Sequence, residues 1–168
     1  CAQAGELPAT IVMLIDETRG ADAMVAYKSE VPNIDALNDP SARIVVTPNS
    51  PSETLARVVM AHFELPKLDR QSCWIEKDGA GDVARELTGA AKGAGPRAFV
   101  LWEPFVSRAL KNPDVHVLVD SSSFKGYIVD VLVCERQFLI DHEAAVESFV
   151  KSYLRAAHQW RQRESGMR

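Results

Sequence analysis

Residues Ala42 to Leu55 read ARIVVTPNSPSETL, and this stretch decides the fold. Arg43 to Thr47 is a short β-branched apolar run of strand type. Ser50-Pro51-Ser52-Glu53 follows at once. A serine stands where an N-cap belongs, a proline at the first helical position, and a glutamate three residues after the serine. A strand feeding directly into a capped helix is half of a βαβ unit. Reading outward toward the C-terminus, the alternation continues. A helix is expected over Pro51 to Glu64, a strand over Ser72 to Glu76, and a helix over Asp82 to Lys92. Then come a strand over Arg97 to Trp102, a helix over Pro104 to Lys111 and a strand over Val115 to Val119. Strands alternating with helices of about 10 residues imply parallel βαβ units with right-handed crossovers.

The flanks read differently. Thr10 to Ile15 is a continuous apolar run, which predicts a strand buried on both faces. A polar loop, Asp16 to Asp22, leads to a second strand over Ala23 to Tyr27. Lys28 to Ser41 is a Pro/Asn/Asp-rich connector with a short helical turn around Ile34 to Leu37. After the alternation, Tyr127 to Cys134 is a strong strand. Asp141 to Arg163 is a long amphipathic helix, interrupted once, with Ala145, Val146, Phe149, Val150, Tyr153 and Leu154 at helical spacing. Two crossing strands, Ala23 to Tyr27 and Ile128 to Cys134, bracket a continuous α/β segment, as hinge strands do.

Composition narrows the function classes. The chain has 168 residues, is 46% hydrophobic and 25% charged, and carries a net charge of −4. That is enough chain for a core without covalent staples. Basic residues cluster only in the mixed tail Arg161 to Arg168, so nucleic acid is not an expected partner. No apolar run approaches the roughly 20 residues of a membrane-spanning helix. Cys1, Cys73 and Cys134 are sparse and form no CxxC pair, so they read as free thiols. Cys1 reads as the start of a fragment. His62, His116, His142 and His158 are scattered, with no HExxH and no GxSxG elbow elsewhere. No catalytic residue, metal or cofactor is expected. Gly79 to Ala84 fits the GxGxxA pattern of a dinucleotide loop. Its place in the middle of the alternation, with Asp82 as a helix N-cap, explains it more simply.

The candidate binding residues lie where strands end. In an open parallel sheet, the loops after the strands' carboxyl ends line the ligand crevice. A helix N-terminus there offers free N–H groups and the positive end of a dipole. Ser50, Ser52 and Thr54 are therefore candidates for an anionic or carbonyl group, though the same residues equally describe a well-capped helix. Trp102 and Glu103 form a second strand end, offering a flat wall and an acceptor, or else a core tryptophan and a dipole-favoured glutamate. Asp120-Ser121-Ser122-Ser123 forms a third, with Ser121 as the candidate, and a plain turn explains it nearly as well.

Four segments carry a resemblance: IVMLIDETRGADAMVA (11–26), ARIVVTPNSPSETL (42–55), FVLWEPFVSRAL (99–110) and LVDSSSFKGYIVDVLVCERQFL (118–139). In this order they resemble the type II periplasmic solute-binding proteins of the nitrate, sulfonate and taurine branch, which includes the thiamine-precursor-receptor-like proteins. The resemblance implies an α/β fold, a periplasmic-binding-protein type II lobe with hinge strands and C-terminal helices, most of the first lobe being missing. Residues 1–29 would be a first-lobe remnant and first hinge strand, 30–125 the second lobe, and 126–168 the second hinge strand and first-lobe helices. It implies the substrate-binding component of an ABC importer. A small polar or anionic solute would be captured in an interlobe cleft and passed to a membrane permease. The location would be periplasmic or extracytoplasmic, with a lipid-anchored form left open. Thr18, Arg19 and Asp22 would face the cleft from the first-lobe loop, with Arg19 pairing bidentately with an acidic group. The loop Gly89 to Pro96 is longer than the family's usual run. Two other readings use the same lobe: a sensor or interaction module of a larger envelope or signalling protein, and a pyrimidine-synthase-like enzyme. Surfaces made to pack on the missing lobe would be bare, so homodimerisation and weak ligand binding by this chain alone are expected.

Overall fold

A computed structural model describes residues 8–89 and 95–165. In chain order the elements are β1 (Ala9–Glu17), β2 (Asp22–Tyr27), a 3-10 turn at Ile34–Leu37, β3 (Arg43–Val46) and α1 (Pro51–His62). Next come β4 (Trp74–Glu76), α2 (Ala80–Gly89), β5 (Arg97–Trp102), α3 (Phe105–Ala109), β6 (Val115–Asp120) and a 3-10 turn at Ser121–Ser123. The chain ends with β7 (Val129–Glu135), α4 (Arg136–Asp141) and α5 (Glu143–Ser165). Cys1, most of the loop Gly89 to Pro96, and the last residues of the basic tail lie outside the described residues.

The chain divides into two units. The first runs from Glu17 to Val129 and holds a five-stranded sheet ordered β4-β3-β5-β2-β6. β3 pairs in parallel with both β4 and β5, as the alternation predicts. Strict alternation of side chains sorts the apolar residues onto two faces. Met24, Ala26, Ile44, Val46, Ala98 and Val100 pack under α1 residues Leu55, Ala56 and Val59. Ala23, Val25, Val45, Phe99 and Leu101 pack with α2 and α3 residues Val83, Leu87 and Val106. Helices thus cover both faces, which is why the core strands are apolar along their whole length. Each fully buried Leu, Val or Phe of this kind contributes about 1.5–3 kcal/mol.

β2 lies inside the sheet, antiparallel to β5 on one side and β6 on the other, with all six residues buried. Its short apolar sequence, DAMVAY, suits a position between two strands. The sheet is therefore mixed. Two expectations change. α2 begins at Ala80, which puts Asp82 in its first turn rather than at the cap. The C-terminal helical stretch begins earlier than Asp141, at Arg136, and its one interruption falls at His142, the C-cap of α4.

Among the described residues the second unit comprises 8–16 and 130–165. β1 and β7 form a two-stranded sheet. The N–H of Arg136 donates to the Pro8 carbonyl at 2.6 Å. β1 is not buried on both faces as its sequence predicts: Ile11 and Leu14 are 64% and 62% exposed. A two-stranded ribbon has no second layer to cover it. The Glu135 carboxylate caps α4 by accepting the N–H groups of Gln137 and Phe138. Among the described residues no helix is long and apolar enough to cross a membrane.

Candidate functional site

The antiparallel course of β2 sets the site's geometry. Its first residue, Asp22, stands opposite Trp102, the last residue of β5. Its second, Ala23, stands opposite Asp120, the last residue of β6. On the other side of β5, Val45 of β3 pairs with Phe99, so Thr47 lies at the same end of the sheet. The sheet thus gathers Asp22, Thr47, Trp102, Glu103 and Ser121 along one edge, together with the N-terminus of α1. Asp22 is 4% exposed and continues the alternation of Met24 and Ala26, on the face that α1 covers.

The start of α1 is closely specified. The Ser50 hydroxyl accepts the Glu53 N–H at 3.3 Å and donates to the Thr47 carbonyl at 2.6 Å. Asn49 takes the left-handed conformation, φ 54°, which asparagine tolerates. This aims its N–H at the Glu53 carboxylate, 2.6 Å away. That N–H, and next the Arg57 guanidinium, hold the Glu53 carboxyl below its ordinary range. Ser50 is therefore spent on the cap. Ser52 is not. Its side chain is fully buried, and its hydroxyl has no hydrogen-bond partner among the described residues. As the second helical residue it has no i−4 partner inside the helix, and its N–H is likewise unengaged among the described residues. The Thr47 hydroxyl is also buried and has no hydrogen-bond partner among the described residues. In the sequence Thr47 reads as the end of the strand Arg43 to Thr47.

The other predicted residues are engaged elsewhere. Thr54 is exposed, and its hydroxyl donates to the Ser50 carbonyl at 3.3 Å. Glu103 accepts the Ser107 hydroxyl at 2.8 Å and the Ser107 N–H at 3.2 Å, so its carboxylate caps α3. Trp102 is half-buried against the α2 and α3 side of the core. Ser121 is buried and accepts the Gly20 N–H at 2.7 Å. Thr18 donates its N–H to the Ile128 carbonyl at 3.0 Å. Arg19 is 68% exposed and pairs with Glu17 at 3.0 Å. Glu17 also accepts the Gly126 N–H at 2.5 Å, and this bond, with Arg19 second, lowers its carboxyl pKa. The segment 17–20 is thereby laced to the segment 121–128.

One hollow of about 400 Å³ lies beside this edge, lined by Thr54, Arg57, Val58, Ala61, His62, Phe124 and Tyr127. Apart from Thr54, none of these was singled out from sequence as a binding residue, because α1's outer stripe reads as ordinary helix surface. Cys73 is fully buried, and burial pushes its thiol pKa up, away from a reactive thiolate. No cluster of metal-ligating side chains occurs among the described residues.

No protein-family model matches the sequence, and none of the curated proteins matches it. Solved structures do match. The periplasmic aliphatic sulphonate binding protein SsuA from Escherichia coli superposes with a TM-score of 0.72 at 17% identity, over 98% of this chain and 54% of that one. The alkanesulfonate-binding protein SsuA from Xanthomonas axonopodis pv. citri, bound to MOPS, gives 0.72 at 16% identity over the same shares. The amino acid ABC transporter substrate-binding protein AbpA from Streptococcus pneumoniae, bound to L-arginine, gives 0.57 at 13% identity, over 95% of this chain and 59% of that one. Identity this low speaks for fold alone. The chain spans about half the length of the solved structures it matches, and over that half it has the α/β fold of the type II periplasmic binding proteins.

Proposed function

We propose that this chain is the ligand-binding part of an extracytoplasmic solute receptor that serves an ABC-type importer. The unit Glu17–Val129 corresponds to the second lobe. The second unit corresponds to what this chain holds of the first lobe and of the hinge. The solute is small and polar or anionic, and its partner downstream is a membrane permease. The function is capture, not catalysis.

One observation carries the reading: the Thr47 and Ser52 hydroxyls, buried and without a hydrogen-bond partner among the described residues, at and just before the start of α1. An unpaired buried hydroxyl costs about 1–3 kcal/mol. A twelve-residue helix that begins with such groups faces its positive dipole end and a free N–H toward the sheet edge. An oxyanion or carbonyl oxygen brought there offsets that cost. Ser52, Thr47 and the α1 N-terminus form the anion end. Trp102, Asp22 and Ser121 border it, and Thr18 and Arg19 approach along the segment laced to 121–128. Titration of the chain with methanesulfonate and acetate, followed by backbone amide NMR, tests this. Shifts confined to residues 47–54 and their neighbours along the sheet edge support the site, and shifts scattered over the surface argue against it.

A further inference from the structure

A helix inside a protein owes most of its stability to packing an apolar face against a neighbour. α5 is 23 residues long and has such a face, yet among the described residues its chief neighbour is the short α4. Val146, Phe149, Tyr153, Ala156 and Trp160 follow one another at intervals of three and four residues, the spacing of a helix that pairs with another helix. Val146 is half-buried and the other four are exposed. The stripe runs for roughly 20 Å along the helix. Glu147, Lys151 and Arg155 lie on the opposite, polar side, where Lys151 pairs with Glu147 at 2.7 Å. The two ends of the helix differ in charge, with Glu143 at the start and Arg161 and Arg163 at the finish. Glu143 and Arg161 are 18 residues apart, which is about five whole turns. Both therefore stand on the same edge of the apolar stripe, one near each of its ends.

We infer that this stripe is a docking surface for a second copy of the chain, with the two α5 helices antiparallel about a two-fold axis near Tyr153. In such a pair each edge of the seam meets the same edge of the other copy, run in the opposite direction. Glu143 of each copy is thereby set beside Arg161 of the other, twice per dimer. A parallel pair sets glutamate against glutamate and arginine against arginine, and brings like ends of the helix dipoles together. Phe149, Tyr153 and Trp160 contribute three rings from each copy. With the aliphatic groups around them the contact covers on the order of 1,000 Å², near the lower end for a specific interface. A two-fold contact closes on itself, so assembly stops at two copies. The surface lies wholly on the second unit, and the inference does not depend on the anion site.

Sedimentation equilibrium of the full chain tests it. The wild type is expected to follow a monomer–dimer equilibrium with no larger species. Glu143→Arg and Arg161→Glu are each expected to weaken the dimer about tenfold, since each turns two attractions into two repulsions. Both substitutions in one chain restore opposite charges at both contacts, and are expected to return the affinity to the wild-type value. Lys151→Glu, on the polar side, is expected to leave it unchanged. All three positions are exposed, so the fold is expected to survive, and recovery in the combined variant separates lost pairing from lost folding. A wild type that stays monomeric over a wide concentration range overturns the inference, as does assembly beyond two copies. Single reversals without effect, or a combined variant that stays weak, overturn the antiparallel pairing. A monomeric wild type that sediments with phosphatidylglycerol vesicles assigns the stripe to a lipid surface instead and overturns it as well.

Discussion

Ser50 and Ser52 stand two residues apart at the start of α1, and their hydroxyls have opposite fates. Ser50 makes two hydrogen bonds, to the Glu53 N–H and the Thr47 carbonyl, while Ser52 is fully buried and makes none among the described residues. The two substitutions therefore separate stability from binding. Ser50→Ala is expected to destabilise the first unit by about 1 kcal/mol, the usual loss on removing an N-cap. Ser52→Ala removes an unsatisfied buried hydroxyl, so it is expected to be neutral or stabilising by up to about 1 kcal/mol. It is also expected to abolish anion binding. Urea unfolding followed by tryptophan fluorescence and circular dichroism gives both stabilities. A clearly destabilised Ser52→Ala would mean that this hydroxyl already has a partner in the free protein.

Much of this was legible in sequence, for a physical reason. Pro51 and the Ser50/Glu53 spacing admit few conformations other than a helix start, and the β-branched runs RIVV and RAFVLW admit few other than a strand. The antiparallel course of β2 was not legible because its six residues carry no mark of direction: insertion between β5 and β6 is a tertiary decision. Thr47, and the aromatic wall of Phe124 and Tyr127, were not singled out because each is unremarkable locally. Their significance lies in which neighbours fail to satisfy or cover them. Glu103 and Ser121 did fall on the expected sheet edge, but their polar atoms are taken up by Ser107 and Gly20.

Acid should loosen the first unit through its hydrogen-bonded carboxylates. Glu17 and Glu53 are both held below the ordinary 4.5, first by the backbone N–H groups of Gly126 and Asn49 respectively, then by their arginines. Asp69 is lowered in the same way by the Ser72 hydroxyl, then by the backbone N–H groups of Gln71 and Ser72. A depressed folded-state pKa contributes stability that is fully present above the unfolded value and is lost as pH falls through the folded value. The thermal midpoint is thus expected to change little from neutrality down to about pH 4.5 and to fall below it. Glu17→Gln is expected to flatten part of that fall. A midpoint that rises on acidification would contradict these contacts.

Gly126 is expected to resist substitution. Its φ of +80° is open to glycine at little cost, and its N–H serves Glu17. Gly126→Ala is expected to cost about 1–2 kcal/mol from backbone strain alone. Gly79, which has nothing within 4 Å of an added Cβ and no positive φ, serves as the control, with Gly79→Ala expected to stay within about 0.5 kcal/mol. Denaturation midpoints of the two variants decide the matter.

The second unit should make the chain associate. Over 143–163, the part of α5 whose burial is described, no residue is buried, and Phe149, Leu154 and Trp160 are 56%, 54% and 66% exposed. Contiguous exposed apolar surface drives self-association. Light scattering is expected to show a mass that rises with concentration. The double substitution Phe149→Glu with Leu154→Glu is expected to return the chain toward a monomer without altering the first unit's spectra. A wild-type chain that remains monomeric over a wide concentration range would show that this face is not sticky in solution.

The anion site is tested most directly by residue-resolved amide NMR of the chain titrated with methanesulfonate, beside Ser52→Ala under the same conditions. The site reading predicts saturable shifts at Thr47, Ser50, Ser52 and Thr54 that vanish in the variant. Shifts absent from these residues, or unchanged by Ser52→Ala, would contradict it.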